Sequence, residues 1–519
     1  MTRTPIRTAG LRRTSTMERS QTPVRVGALH GLLAAALGTG AAHLVAALVD
    51  PAASPVLAVG STVIDATPTP VKEWAVSTFG TADKPILVGS VAVVTLLLAA
   101  LAGVLHRTRP VLGLGLLAAL TALAGAAALS RPAAGPAAVL PSVVAGVLGC
   151  ATLAWLGARR EADTWAAPGQ PARRGVLAAG GAGVAAAALG GGGQVITARR
   201  RVPEIALPEP TTSPRPLPAG IEGTHEGVSP FVTPRDAFYR VDTALTVPRV
   251  DPKDWQLVID GDVERPLTLS FDELLELPMI EKDITMTCVS NEVGGGYVGS
   301  ARWLGVPTRT LLERVGVRPG ADQVLSTSVE GMTISTPVQA LMDDRDALVV
   351  VGMDGAPLPR EHGFPVRLVT PGLYGFVGAT KWLTKMTLTT YAAQSAYWTD
   401  RDWATDAPVL TQSRIDTPKP LDPIPAGSTV IGGVAWAQQR GIERVEVRVD
   451  DGEWQRATLG PDAGIDYWRQ WYLPWKATPG RHDIAVRATD ETGYTQTTER
   501  ATPFPKGATG LHTIAVVVT

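Results

Sequence analysis

Apolar residues in this chain follow two regimes, divided near residue 200. Before it they form long unbroken stretches, at 27–49, 85–106, 110–129, 137–157 and 175–197. The first four approach the ~20 residues that a membrane-spanning helix needs. The fifth is mostly Ala and Gly and is weak as a span. The pattern predicts an all-α transmembrane bundle of five helices over 27–197, behind a cytoplasmic tail at 1–26.

Beyond residue 200 the periodicity changes. Residues 198–228 carry Pro203, Pro208, Pro210, Pro214, Pro216 and Pro218 and read as a linker. Trp255–Asp260 reads as a strand, and Ser270-Phe-Asp-Glu273 as a capping box that opens a short helix. Gly305–Gly316 reads as a second helix with Pro307 in its first turn. Ala347–Val351 and Pro365–Thr370 read as strands. Irregular alternation of strands and short helices predicts an α+β domain over 229–410. From 411 to 519 the pattern is purely β. Arg444–Asp450 alternates polar and apolar residues before the turn Asp451-Gly452, and strands follow at 468–475, 483–488 and 513–518. An Ig-like sandwich is expected there. Its Trp468, Trp471 and Trp475 read as core or interface.

Charge sets the orientation of the helices. Arg3, Arg7, Arg12, Arg13, Arg19 and Arg25 precede the first span; Arg107 and Arg109, then Arg159, Arg160, Arg173 and Arg174, fill the loops on that same side. The opposite loops hold only Lys72, Lys84 and Arg131. The positive-inside rule makes the N-terminus cytoplasmic, and five spans put residues 200–519 outside. Arg199-Arg200-Arg201 lies on the wrong side for five spans, although long translocated domains are largely exempt from the rule. The run Arg173-Arg174-Gly-Val-Leu resembles a twin-arginine export signal, placed internally; an ordinary Gly/Ala helix with basic flanks is the alternative. The net charge of −1 argues against nucleic acid as a partner. His30 and His43 lie about 220° apart round a helix and share no face; His30 and His106 could both lie near the cytoplasmic side and bridge a haem, but interfacial or helix-packing histidines are the reading taken, so a haem is not expected.

The chain has two cysteines, and Cys150 lies within an apolar span. Cys288 therefore has no disulfide partner in its own region. It ends a strand-like run, Ile284-Thr-Met-Thr-Cys288, ahead of a polar, glycine-rich turn that ends at Gly296. A lone thiol there is either a buried structural cysteine or a thiolate that binds metal or acts as nucleophile.

Four ordered stretches separate these readings. They are Phe238-Tyr-Arg-Val-Asp-Thr243; Thr287-Cys-Val-Ser-Asn291 with Ala301-Arg-Trp-Leu-Gly-Val-Pro307; Glu361-His-Gly-Phe-Pro-Val-Arg-Leu-Val-Thr-Pro-Gly372; and Ala379-Thr-Lys-Trp382. Together with the β-rich C-terminus, they resemble the sulfite oxidase family of molybdenum enzymes over about 225–519. The resemblance implies a molybdenum-molybdopterin cofactor with Cys288 as metal ligand and catalytic centre. It puts Tyr239, Arg240, Asp242, Asn291, His362, Arg367, Thr380 and Lys381 where the family contacts the pterin and its phosphate. Soft thiolate suits the metal, and cations suit the phosphate. It also makes the C-terminal domain like the family's dimerisation domain, which leaves a homodimer open.

Two departures bear on substrate. Glu292-Val293 stands where sulfite-oxidising members have paired arginines. Arg401-Asp-Trp403 stands where they have an active-site tyrosine. Sulfite is therefore expected to be a poor substrate, with Arg240 or Arg302 as the cations that would compensate. No Cys-x-x-Cys-His or iron–sulfur cysteine set is present, so electrons must pass to a separate partner, a cytochrome or quinone system, or through the membrane half. The expectation is an oxidoreductase set in the lipid bilayer with its catalytic domain outside, performing two-electron oxygen-atom transfer on a small molecule. The alternatives are an S-oxide or N-oxide reductase on the same cofactor, and a non-enzymatic membrane protein that binds a partner through its β domain.

Overall fold

A computed structural model describes residues 14–79, 82–132, 134–163, 173–199, 205–421 and 423–519. The chain forms two compact units. One is Met1–Val202 with Ala244–Thr246; the other is Pro203–Thr243 with Val247–Thr519.

The first unit is all-helical: α1 Thr14–Leu48, α2 Pro55–Ala66, α3 Thr69–Phe79, α4 Asp83–His106, α5 Pro110–Leu129, α6 Leu140–Asp163 and α7 Arg173–Arg199. Among the described residues, Val24–Leu48, Asp83–His106, Pro110–Leu129 and Pro136–Ala158 are long and apolar enough to cross a membrane. These match the first four expected spans. The fifth expected span is helical as α7 and packs on α1, but it falls outside that set. Two elements were not foreseen: α2 and α3, in the loop after the first span. Helix α1 begins at Thr14, within the expected tail at 1–26, while its membrane-length apolar part begins at Val24. Small residues let the helices approach closely; Gly31 and Gly103 abut where α1 and α4 cross. Residues 1–13 with Arg3, Arg7, Arg12 and Arg13, and the pair Arg200-Arg201, lie outside the described residues.

The second unit carries ten strands before residue 400: β1 Gln256–Gly261, β2 Leu267–Ser270, β3 Ile280–Thr287, β4 Val298–Pro307, β5 Gln323–Ser328, β6 Thr333–Pro337, β7 Leu348–Met353, β8 Ala356–Pro357, β9 Arg367–Val369 and β10 Leu383–Thr389. They make two sheets, β2-β1-β10-β5-β6 and β3-β4-β7-β8, with β9 also on β7. Short helices α8 Phe271–Leu275, α9 Thr308–Val315, α10 Val338–Met342 and α11 Gly375–Gly378 link them. The core joins Leu257, Ile259 and Met386 of one sheet to Val306, Val349 and Leu368 of the other. Ser270 and Glu273 form the expected capping box. Pro307 ends β4 and sits one residue before α9, so it is a cap and not a first-turn residue.

The C-terminal strands are β11 Gln412–Thr417, β12 Pro423–Ile424, β13 Gly427–Trp436, β14 Ile442–Val449, β15 Gln455–Arg456, β16 Thr458–Leu459, β17 Arg469–Ala477, β18 Gly480–Asp490 and β19 His512–Val518. Sheets β11-β13-β17-β16 and β12-β19-β18-β14-β15 face each other across Ile431, Trp471, Val445, Val486 and Val516. Trp468 and Trp471 are core, as expected, in two separate clusters, and Trp475 is partly buried against the cluster of Trp471.

The expected linker at 198–228 is not a free connector within the described residues. Thr211 N–H donates to Met279 O at 2.8 Å, and Glu281 N–H donates to Thr212 O at 2.8 Å, so the segment adds to the edge of β3. Glu222 accepts from Gln470 Nε2 at 2.8 Å. Proline fixes an extended backbone, and here the sheet edge and the C-terminal strands receive it.

Candidate functional site

The β3–β4 hairpin positions the thiol. Thr287 pairs with Val298, and one step on, Cys288 N–H donates to Tyr297 O at 3.0 Å. The loop between them is held internally. Asn291 N–H donates to Cys288 O at 3.0 Å, and Asn291 Oδ1 accepts from Tyr297 N–H at 2.7 Å. Cys288 Sγ is 2.9 Å from Ser290 Oγ, a neighbour that sequence reasoning passed over. Burial raises the thiol's pKa, against the opposing pull of Ser290 and Lys381. A thiol kept protonated by burial is a poor free nucleophile, but a bound metal would take it as thiolate.

Three other segments supply charge. Asp242, in the extended stretch before β1, receives Arg240 Nε at 2.9 Å and Lys381 Nζ at 2.7 Å. Burial lowers the Lys381 pKa to about 8, with Asp242 opposing that shift. Lys381 also donates to Glu361 O at 3.1 Å. His362 ends a 3-10 turn and Arg367 begins β9. Gly363, at φ +109, lies between them, and a side chain there would press on Arg367 and Lys381 at 3.0–3.1 Å. Glycine is required for both reasons.

Arg367 is 4% exposed. Its Nη1 donates to His362 O at 3.1 Å and its guanidinium lies 5.2 Å from the Trp303 ring centroid. No carboxylate pairs with it among the described residues. Burial lowers its pKa to about 10, so it stays a cation near neutrality. His362 Nε2 donates to Arg235 O at 3.2 Å, and burial beside Arg367 and Lys381 pushes its pKa down to about 4. The ring is therefore neutral, with Nδ1 free of a proton.

Tyr239 stacks on Phe238 with ring centroids 5.2 Å apart, and Phe238 meets His362 edge-on at 5.4 Å. Burial raises the Tyr239 pKa; the nearby Cys288 adds to the rise and Arg367 opposes it. Cys288, Tyr239, Arg367, Lys381, Asp242, Arg240 and His362 are thus one neighbourhood. Two expected residues serve it differently. Asn291 has its carboxamide oxygen inside the Cys288 loop, and the Thr380 hydroxyl is 2.5 Å from Ser326 Oγ.

The departures from the sulfite-oxidising pattern also have places. Glu292 is exposed. Trp403 is 8% exposed in a core with Phe376, Trp398 and Phe504, and its indole N–H is buried without a partner. The two compensating cations are already paired with carboxylates. Arg302 is held by both oxygens of Asp283 at 2.8 Å, and Arg240 by Asp242. Tyr374, missed in the sequence, is 3% exposed and accepts from Leu410 N–H at 3.4 Å. Its pKa rises to about 12 through burial, with Cys288 adding to the shift. The Pro371-Gly-Leu-Tyr-Gly375 run beside the third motif was the signal that could have found it.

A molybdenum pterin fits this donor set. It needs one soft ligand and cations for a phosphate, and the site offers a loop thiol and a buried guanidinium without an acidic partner.

Residues 244–398 match the family model described as oxidoreductase molybdopterin binding domain. The chain is 29% identical over 325 residues to mitochondrial sulfite oxidase of Homo sapiens, covering 53% of this chain and 58% of that protein. It is 29% identical over 335 residues to NADH nitrate reductase of Solanum lycopersicum, covering 51% of this chain and 36% of that protein. The sulfane dehydrogenase SoxCD structure from Paracoccus pantotrophus aligns with TM-score 0.49 and 26% identity, over 55% of this chain and 80% of that chain. The chain therefore spans a little over half the length of the human sulfite oxidase and about a third of the tomato reductase. Residues 244–398 thus carry an oxidoreductase molybdopterin binding domain, and over about half its length the chain is similar to the sulfite oxidases and nitrate reductases.

Proposed function

We propose that this protein is a membrane-anchored molybdenum oxidoreductase whose catalytic region, residues 205–519, faces away from the cytoplasm. The observation that carries the chemistry is the buried, acid-free Arg367 in the same neighbourhood as the Cys288 thiol. Bound there, the molybdenum pterin would supply two-electron oxygen-atom transfer. Cys288 would ligate the metal as thiolate. Arg367, Lys381 and Arg240 would hold the phosphate, with Asp242 fixing the last two. Neutral His362 would offer Nδ1 as an acceptor. Tyr239 and the backbone of Thr380 would line the pterin, and Asn291 would shape the loop.

Four spans with the N-terminus inside return the chain to the cytoplasm, so the outward placement rests on α7 and the Arg173-Arg174 signal. Electrons would pass to a separate cytochrome or quinone partner. The C-terminal sandwich would act as an Ig-like, dimerisation-type domain.

An uncharged oxygen-bearing substrate, such as an S-oxide or N-oxide, is the second reading. It is favoured by the engagement of Arg302 with Asp283, by the assignment of Arg240 to the cofactor phosphate, and by the carboxylate of Glu292 in the Cys288 loop.

Metal analysis of the purified full-length chain tests the proposal. About one molybdenum per chain is expected for a single thiolate site; a metal-free protein from cells that make the cofactor would contradict it. External protease on intact cells tests the placement: residues 205–519 should be cleaved in the wild type and protected when both arginines are replaced by lysine.

A further inference from the structure

The Cys288 loop is anchored from outside its own sheet. Arg414, in the middle of β11, donates from Nη1 to Gly295 O at 2.9 Å. Its Nη2 donates to Ser229 Oγ at 2.9 Å, and its Nε to Asp416 Oδ1 at 2.6 Å. Asp416 Oδ2 accepts from Ser229 N–H at 3.0 Å. The guanidinium is therefore fixed on three sides, and its side chain is only 12% exposed.

A second C-terminal residue closes on the same turn. Gly294 has φ +81, and a Cβ on it would collide with the His512 ring. His512 is held in turn: its Nδ1 accepts from Ile415 N–H at 3.0 Å, one residue along from Arg414. The restraint runs back to the thiol along the loop. Gly295 N–H donates to Glu292 O at 2.8 Å, next to Asn291, whose N–H donates to Cys288 O at 3.0 Å. Within the loop this work falls to backbone groups, the Asn291 amide and the Ser290 hydroxyl at 2.9 Å from the thiol, and backbone hydrogen bonds in a glycine-rich turn open readily. A charge-assisted bond from a fixed guanidinium is stronger than these.

We propose that Arg414 is a positioning residue for Cys288, setting the thiol's placement through the Gly295 carbonyl. The C-terminal β domain is thereby part of the metal site and not an appended module. That Cys288 meets a metal rests on the proposed function; the restraint of the thiol does not.

The test uses the full-length chain with Arg414→Met, Arg414→Lys and Arg345→Met. Arg345 is the control because it likewise clamps a carboxylate, Asp343, and a carbonyl, Pro371 O, without touching the Cys288 loop. The first readout is the rate of iodoacetamide alkylation at Cys288, followed by peptide mass spectrometry, on chain made without the cofactor. Arg414→Met should raise that rate about tenfold or more, the scale of losing one charge-assisted hydrogen bond that restrains a loop. Arg414→Lys should lie between it and wild type. Arg345→Met should leave the rate unchanged even if it lowers the melting temperature. Equal rates in Arg414→Met and wild type, or equal increases in Arg414→Met and Arg345→Met, would overturn the proposal. If Arg414→Met does not fold, Arg414→Lys against Arg345→Met decides it by the same comparison. The second readout is the paramagnetic molybdenum signal of chain made with the cofactor, which should change in Arg414→Met at undiminished metal content. Wild type without molybdenum would remove the metal reading and leave the alkylation result standing.

Discussion

Lys381 Nζ lies 2.7 Å from Asp242 Oδ2, and the same oxygen takes Arg240 Nε at 2.9 Å. One carboxylate, with its side chain 3% exposed, thus fixes two cations beside a third, Arg367, that has no acid. The cluster keeps surplus positive charge, as a phosphate requires.

Asp242→Asn should therefore weaken cofactor retention. Burial already pushes Lys381 down to about 8, and Asp242 is the largest influence opposing it. Without that carboxylate the amine loses its proton nearer neutrality. In the wild type, anion binding through Lys381 should weaken as pH rises through about 8. Stability of the cofactor-free protein should move the other way. The folded pKa lies below the unfolded value of 10.5, so the unfolded chain binds more protons between about 8 and 10.5, and this residue's contribution to stability rises across that window. Molybdenum retained after gel filtration below and above pH 8, in wild type and Asp242→Asn, checks the binding half. Equal retention throughout would contradict it.

Trp403 is a packing residue. Its ring contacts Phe376, Trp398 and Phe504, while its N–H is buried without an acceptor. Trp403→Phe removes the unpaired donor and should change stability by no more than about 1 kcal/mol. Trp403→Ala should destabilise by about 3–5 kcal/mol. Denaturant unfolding of the two variants checks this; a large loss in Trp403→Phe would show a hidden partner for the N–H.

These residues also show where sequence reading stopped. The strand order is non-sequential, β2-β1-β10-β5-β6, and nothing local in β1 announces β10 as its neighbour. The elements themselves were legible, because alternation at 444–450 and the Ser270–Glu273 box are local signals. At the candidate site, Cys288, His362, Arg367 and Lys381 were named through their motifs. Arg414 was not, because it acts through tertiary contacts that its own neighbours do not encode, and Tyr374 was passed over although the Pro371–Gly375 run adjoins the third motif. The proline-rich 205–228 segment misled for the same reason: proline specifies an extended backbone and leaves its docking partner unspecified.

Sulfite should be a poor substrate. Arg302 is held by both oxygens of Asp283, and Arg240 belongs to the cluster proposed to hold the cofactor phosphate, so neither is left to hold a small anion beside the loop that carries Glu292. Steady-state kinetics on fully loaded enzyme should give kcat/KM for sulfite well below about 10⁶ M⁻¹s⁻¹, inside the broad range of efficient enzymes. A value at or above that would place an anion-binding group that these residues do not supply.

The central claim is that Cys288 binds molybdenum, and X-ray absorption at the molybdenum edge tests it most directly. Wild type and Cys288→Ser would be compared at equal metal loading. The account predicts one fewer sulfur ligand in Cys288→Ser, with the melting temperature nearly unchanged. An identical sulfur count in the two proteins would contradict it.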